Sequence, residues 1–157
     1  MTKTVLVTGG TRGIGLAIAR RLGRAKCRLA LSYRSNEESA ERLSAELTDN
    51  AIEHAVFRAD LSDDDQARDL PRRVVERLGS LEAVVNNAGV TDDTSFTTME
   101  QHRYKAVLRT NLYSAINVTG AALPYLLKVE NPAVVMVSSL GGVVGKEGQV
   151  AYACSKG

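Results

Sequence analysis

The chain has no tryptophan, and aromatic residues make up 4% of its 157 positions. That is too few for the stacking platforms on which single-stranded bases are held. It also has no charge of one sign to speak of. Its 20 basic and 18 acidic residues leave a net charge of +2, so neither a nucleic-acid-binding stripe nor an acidic tail is expected. Cysteine is limited to Cys27 and Cys154, far apart and without CxxC or metal-ligand spacing. They read as two free thiols in a reducing compartment, and no metal site is expected. No apolar run approaches the roughly 18 residues that a membrane span requires. The opening MTKTVLVTGG runs into a strand pattern with no signal-peptide core. Asn117-Val118-Thr119 fits a glycosylation sequon, which outside a secreted context is a chance match. Repeats and low-complexity segments are absent. These absences point to a cytoplasmic protein with no nucleic-acid or membrane partner, and the length suits one domain over 1–157 that buries about 70% of its unfolded surface.

What is present is an alternation of short β-branched runs and helical stretches. KTVLVT (3–8), CRLALSY (27–33), IEHAVFRA (52–59), EAVVNNAG (82–89) and AVVMVSS (133–139) have strand length and composition. LAIARRLGRA, NEESAERLSAEL (36–47), the stretch up to Leu78 and a long stretch over about 100–128 have helical periodicity. Asn36 is placed to cap the second helix and Asp60/Ser62 the third, where Pro71 predicts a kink or interruption. Residues 141–149 read as a loop, and VAYACSK starts a last helix. This βαβαβαβαβ order predicts a doubly wound, Rossmann-like parallel sheet with strand order 3-2-1-4-5. Ligands of such sheets bind beyond the carboxyl ends of the strands, at the switch between strands 1 and 4. Every unusual motif here falls at such an end.

The first is TGGTRGIG, with glycines at 9, 10, 13 and 15, between a strand and a helix. Bare N–H groups and the helix dipole there suit a pyrophosphate. No GK[ST] follows, which argues against an ATP-type loop. After strand 2, where NAD-binding sheets often carry an acid for the ribose 2′-hydroxyl, the chain reads Ser32-Tyr33-Arg34-Ser35. Arg34 and Arg12 suit a 2′-phosphate, so NADP(H) is favoured over NAD(H).

The second constellation is Ser139, Tyr152 and Lys156. Tyr152 and Lys156 lie one helical turn apart on one face. A phenol with an ordinary pKa near 10 needs a neighbouring cation to move protons efficiently at neutral pH. Ser139 can bind a carbonyl oxygen as charge develops there, and Asn111 can connect Lys156 to solvent through water. Taken singly each has an ordinary explanation, since YxxxK occurs on many exposed helices and Ser-Ser ends many strands.

Taken together, and in this order, these motifs resemble the short-chain dehydrogenase/reductase family. The resemblance rests on Thr8-Gly9-Gly10-Thr11-Arg12-Gly13-Ile14-Gly15, Asp60-Leu61, Asn86-Asn87-Ala88-Gly89, Asn111, Ser139, Tyr152 and Lys156, and it spans the whole chain. It implies that Tyr152 is the general acid/base and that Ser139 positions the substrate carbonyl. It further implies that Lys156 lowers the tyrosine pKa and holds the nicotinamide ribose, and that Asn111 supports a proton relay. Cofactor contacts are implied for Gly9, Thr11, Arg12, Gly13, Ile14, Gly15, Arg34, Asp60, Leu61, Asn87, Ala88, Gly89, Tyr152 and Lys156. Ser138 is carried over only as a neighbour.

YRSNEE and NNAGVTDDTSFTTM look most like the reductases of 3-oxoacyl-acyl-carrier-protein and acetoacetyl-CoA, with sugar and polyol dehydrogenases as the alternative. An acyl-thioester substrate, bound to acyl carrier protein or CoA, and a homo-oligomer are therefore expected. Members of the family continue past YxxxK, so the sheet is expected to be incomplete at its C-terminal end. Strand 5 is then an apolar edge; NADPH-dependent reduction of a ketone to a secondary alcohol is the expected activity, with a fragment that keeps cofactor affinity but has weak or no turnover as the alternative. The lone His54 and His102 read as surface or loop residues.

Overall fold

The computed structural model describes residues 2–157. Each β-branched run forms a strand, trimmed to its apolar centre: β1 Thr4–Val7, β2 Arg28–Tyr33, β3 His54–Arg58, β4 Ala83–Asn86 and β5 Ala133–Met136. All pair in parallel, in the order β3-β2-β1-β4-β5, as the alternation predicts. Around them lie α1 Gly13–Arg24, α2 Glu37–Asp49, α3 Asp64–Leu78, α4 Gln101–Leu108, α5 Ser114–Leu126, α6 Leu140–Val144 and α7 Val150–Lys156.

Successive strand side chains point to opposite faces, and both faces of the central strands are covered. Val5, Val7, Leu29, Leu31 and Val85 pack with Leu43 and Leu47 of α2 and Ala19 of α1. Leu6, Ala30, Phe57 and Val84 pack with Leu70 and Val74 of α3 and Val118, Ala122 and Leu126 of α5. This two-sided burial explains why β1 reads TVLV without polar alternation, since all four residues are buried. Truncating Leu6, fully buried at the centre, to Ala carries a cost of about 2–5 kcal/mol.

Four local expectations are corrected. Pro71 does not interrupt α3. The apolar face of Ala67, Leu70, Val74 and Leu78 stays buried on both sides of the proline, and that burial outweighs one missing backbone hydrogen bond. The cap of α3 is Asp63, which accepts from the N–H groups of Asp65 and Gln66 at 3.0 Å, whereas Asp60 holds Ser62 instead. The 141–149 stretch is not all loop, because Ser139 Oγ accepts from Gly141 N–H at 3.1 Å and starts α6. His54 belongs to β3, with its ring nitrogens within hydrogen-bond distance of Ser44 Oγ at 2.8 Å and the Ile52 carbonyl at 2.9 Å. The Asn36 cap of α2 is present, accepting from Ser39 N–H at 2.9 Å.

The long helical stretch is present with a modification. Arg109–Tyr113, between α4 and α5, forms a wide π-helical turn, a rare distortion frequently found at functional sites. β5 is an apolar edge whose four residues are all exposed.

Candidate functional site

The strand order reverses between β1 and its two neighbours, β2 and β4. The chain leaves β1 through Thr8 and enters the glycine loop. Gly9 and Gly13 adopt φ of +63° and +52°, the left-handed region that glycine enters without steric penalty. The loop is tied to the end of β2 by Gly10 N–H donating to the Ser32 carbonyl at 3.0 Å. Gly15, the first buried residue of α1, is held by close approach. A Cβ there would lie 2.2 Å from the Gly9 carbonyl oxygen and 2.6 Å from Asn87 Nδ2. The N-terminus of α1 carries no side-chain cap, so its first N–H groups are free for an anion.

A groove of about 550 Å³ runs along this edge. Gly9, Thr11, Arg12, Gly13 and Ile14 line it from the loop, Arg34 from the end of β2, Asp60 and Leu61 from the end of β3, and Asn87, Ala88 and Gly89 from the end of β4. Of the residues expected to contact a cofactor, only Gly15, Tyr152 and Lys156 fall outside its wall. Gly15 shapes the wall from behind. Ile14 leaves 65% of its surface exposed at the groove, unusual for a branched apolar side chain at a helix start. The guanidiniums of Arg12 and Arg34 have no carboxylate partner among the described residues.

The second constellation lies beside Gly89. A Cβ on that glycine would sit 3.4 Å from Asn111 Oδ1 and 3.5 Å from Lys156 Nζ, so the groove wall meets Asn111 and Lys156 at this position. Lys156 Nζ donates to the Val137 carbonyl at 2.8 Å, and half-burial of the ammonium pushes its pKa below the ordinary lysine value. Ser139 and Tyr152 flank Gly141, whose Cβ would lie 3.5 Å from Ser139 Oγ and 3.6 Å from Tyr152 Cε1. Ser139 Oγ accepts from Gly141, and its own proton has no acceptor among the described residues, leaving it free to donate.

Asn111 sits in the π turn and is 5% exposed. Its Oδ1 accepts from Val90 N–H at 2.8 Å, while Nδ2 donates to the Val90 carbonyl and to Ser155 Oγ, each at 2.9 Å. Both amide protons are thus committed to protein, and the side chain joins the segment after β4 to α7.

Thr8 belongs to the glycine motif, and its part in holding the loop is visible only in the fold. Thr8 Oγ1 accepts from the N–H groups of Asn87 and Ala88 at 2.9 and 3.0 Å, locking the glycine loop to the end of β4. Its place immediately before Gly9 was the available signal. Ser32, Val90 and Thr110 also line the groove, and nothing in their local sequence marks them. Among the described residues there is no cluster of His, Cys, Asp and Glu that could hold a metal ion, and no helix is long and apolar enough to cross a membrane.

A parallel sheet in the order β3-β2-β1-β4-β5 with a glycine-loop groove at its switch point defines a doubly wound, Rossmann-like α/β fold. The chain belongs to the short-chain dehydrogenase family, whose profile matches residues 3–157. The 3-oxoacyl-[acyl-carrier-protein] reductase FabG of Staphylococcus aureus is 35% identical over 156 residues, 99% of this chain and 63% of its own length. The acetoacetyl-CoA reductase of Allochromatium vinosum is 34% identical over 157 residues, covering 99% and 64%. A short chain dehydrogenase from Burkholderia cenocepacia, solved in complex with NADP, superposes with a TM-score of 0.93 at 33% identity, over 98% of this chain and 62% of its own. The chain therefore spans a little under two thirds of the length of these relatives.

Proposed function

We propose that the protein is an NADPH-dependent oxidoreductase that reduces a ketone to a secondary alcohol, with a 3-oxoacyl thioester carried by acyl carrier protein or CoA as the substrate class. Gly89 is the single observation that carries this reading: it lines the nucleotide groove, and Lys156 Nζ lies 3.5 Å from its Cβ direction. A cofactor in the groove would end against the residues able to move a proton.

The groove fits a dinucleotide. Gly13 lines it at positive φ, and a Cβ there would meet no protein atom within 4 Å, so backbone N–H groups are open to a pyrophosphate. Arg12 and Arg34 support NADP(H) over NAD(H), because unpaired guanidiniums suit a 2′-phosphate bidentately. Held by the glycine loop, Arg12 and Arg34, a bound reduced nicotinamide cofactor would supply the hydride equivalent for the reduction. Ser139 donates a hydrogen bond from its free hydroxyl to the carbonyl oxygen, keeps its own proton, and holds that oxygen as negative charge develops. Tyr152 gives its phenolic proton to that oxygen, completing the alcohol. Lys156, one turn along α7 from Tyr152, is the cation of the pair, and Asn111 holds α7 in register with the segment that follows β4. The substrate class is supported by likeness to the two named reductases. The exposed Leu112, Tyr113 and Ile116 around the π turn support a homo-oligomer as part of the same reading, in the cytoplasm.

Calorimetric titration with NADPH, followed by single-turnover oxidation on adding a 3-oxoacyl thioester, tests the proposal. Tyr152→Phe is expected to retain NADPH affinity and abolish the oxidation. Absence of NADPH binding, or oxidation unchanged in Tyr152→Phe, would overturn it. Binding without oxidation in the native chain would leave a nucleotide-binding module.

A further inference from the structure

The approach of α6 to α7 is closer than side chains allow. A Cβ built on Gly142 would lie 2.3 Å from the Lys156 carbonyl carbon, 2.4 Å from its oxygen and 2.6 Å from Gly157 N. These are backbone atoms, so no rotamer change relieves the clash. One position earlier, the Cβ of Gly141 would make ordinary van der Waals contacts, 3.5 Å to Ser139 Oγ and 3.6 Å to the Tyr152 ring. The requirement for a missing side chain is therefore confined to Gly142 and is directed at Lys156.

Two hydrogen bonds converge on the same residue. Ser138 Oγ donates to the Lys156 carbonyl at 2.5 Å, and Lys156 Nζ donates to the Val137 carbonyl at 2.8 Å. The segment from 137 to 142 thus grips Lys156 at its main chain and at its ammonium. α7 has seven residues, too few to be stable by itself, so its neighbours set its position. Ser138 and Gly142 do not line the nucleotide groove.

We propose that Gly142 and Ser138 are positioning residues for Lys156: the glycine lets α7 seat against α6, and the serine hydroxyl pins the lysine carbonyl there. Only the functional consequence rests on the reading of Lys156 as the partner of Tyr152, because the seating is independent of it.

The test is the pH profile of amine acylation at Lys156, quantified by peptide mass spectrometry in the intact chain. The neutral amine reacts, so the midpoint reports how strongly the ammonium is desolvated. Gly142→Ala is expected to move the midpoint up toward the ordinary lysine value by about half a pH unit or more, within the spread that protein environments produce. Ser138→Ala is expected to move it in the same direction by less, and Gly141→Ala to leave it with the native chain. A purely structural role would lower thermal stability and leave the midpoint of the folded protein in place. Midpoints in Gly142→Ala and Ser138→Ala that coincide with the native value would overturn the proposal. If Gly142→Ala fails to fold, Ser138→Ala decides by the same criterion. If the native chain does not oxidise NADPH, the functional reading falls and the acylation profile still decides the positioning. If it does, Gly142→Ala also slows the single turnover.

Discussion

Thr8 and Asn87 stand 79 residues apart and are joined twice: Asn87 N–H donates to Thr8 Oγ1 at 2.9 Å, and Asn87 Nδ2 donates to the Thr8 carbonyl at 2.8 Å. The same amide reaches the Gly9 carbonyl at 3.1 Å. These bonds fasten the glycine loop to the end of β4, so the two walls of the groove form one unit. Thr8→Val keeps the shape and removes the acceptor for two backbone N–H groups. A loss of about 1–3 kcal/mol is expected from leaving such groups unsatisfied, together with weaker NADPH binding. Urea denaturation and calorimetric titration check the two effects.

Arg12 and Arg34 are open to a phosphate. Truncating either to Ala is expected to weaken NADPH binding by about 1.5–3 kcal/mol, the range for hydrogen bonds to charged groups, and to leave NADH affinity unchanged. The ratio of the two dissociation constants is the measurement. An equal loss for both cofactors would place these arginines away from the 2′-phosphate.

Gly15→Ala and Gly13→Ala separate packing from exposure. The first drives a methyl to 2.2 Å from the Gly9 carbonyl oxygen, with an expected cost of about 1–3 kcal/mol from overpacking and loss of NADPH binding. The second meets no protein atom within 4 Å, so its penalty comes from positive φ alone, about 1–2 kcal/mol. Thermal denaturation with and without NADPH distinguishes them.

Asp92 gives a pH test. The hydrogen bond from Arg103, with a further one from Thr94, holds its carboxyl below the usual carboxylate range. A carboxyl whose pKa is lower folded than unfolded stabilises the protein above the unfolded value, near about 3.9 for Asp, and loses that contribution as pH falls through the folded value. Asp92→Asn should therefore be less stable than the native chain near neutrality, and the gap should close in acid. Melting temperatures across an acid series check this. The pair supports the loop whose Thr94 N–H donates to the Gly148 carbonyl at 2.8 Å and whose Asp93 accepts from Gln149 at 2.8 Å, so its loss should also loosen the start of α7.

The five strands, their order and the glycine loop were legible in the residues alone. They depend on local quantities, β-branched runs between turns and glycine spacing before a helix, whereas the i, i+4 pair of Tyr152 and Lys156 carried meaning only alongside the other motifs. Tertiary structure decided what local pattern does not encode. Pro71 continues a helix because the buried face on both sides of it holds α3 in place, a gain that appears only when the sheet is present. Asn111 joins Val90 and Ser155, 21 and 44 positions away, because the π turn brings it to both. Gly142 reads as loop glycine in one dimension and becomes a contact surface for Lys156 only when α6 and α7 are packed together. Periodicity and composition fix which elements form, since they act over one or two turns of chain. Long-range closure fixes which atoms meet, since backbone approach distances of two to four ångströms are properties of the assembled layers.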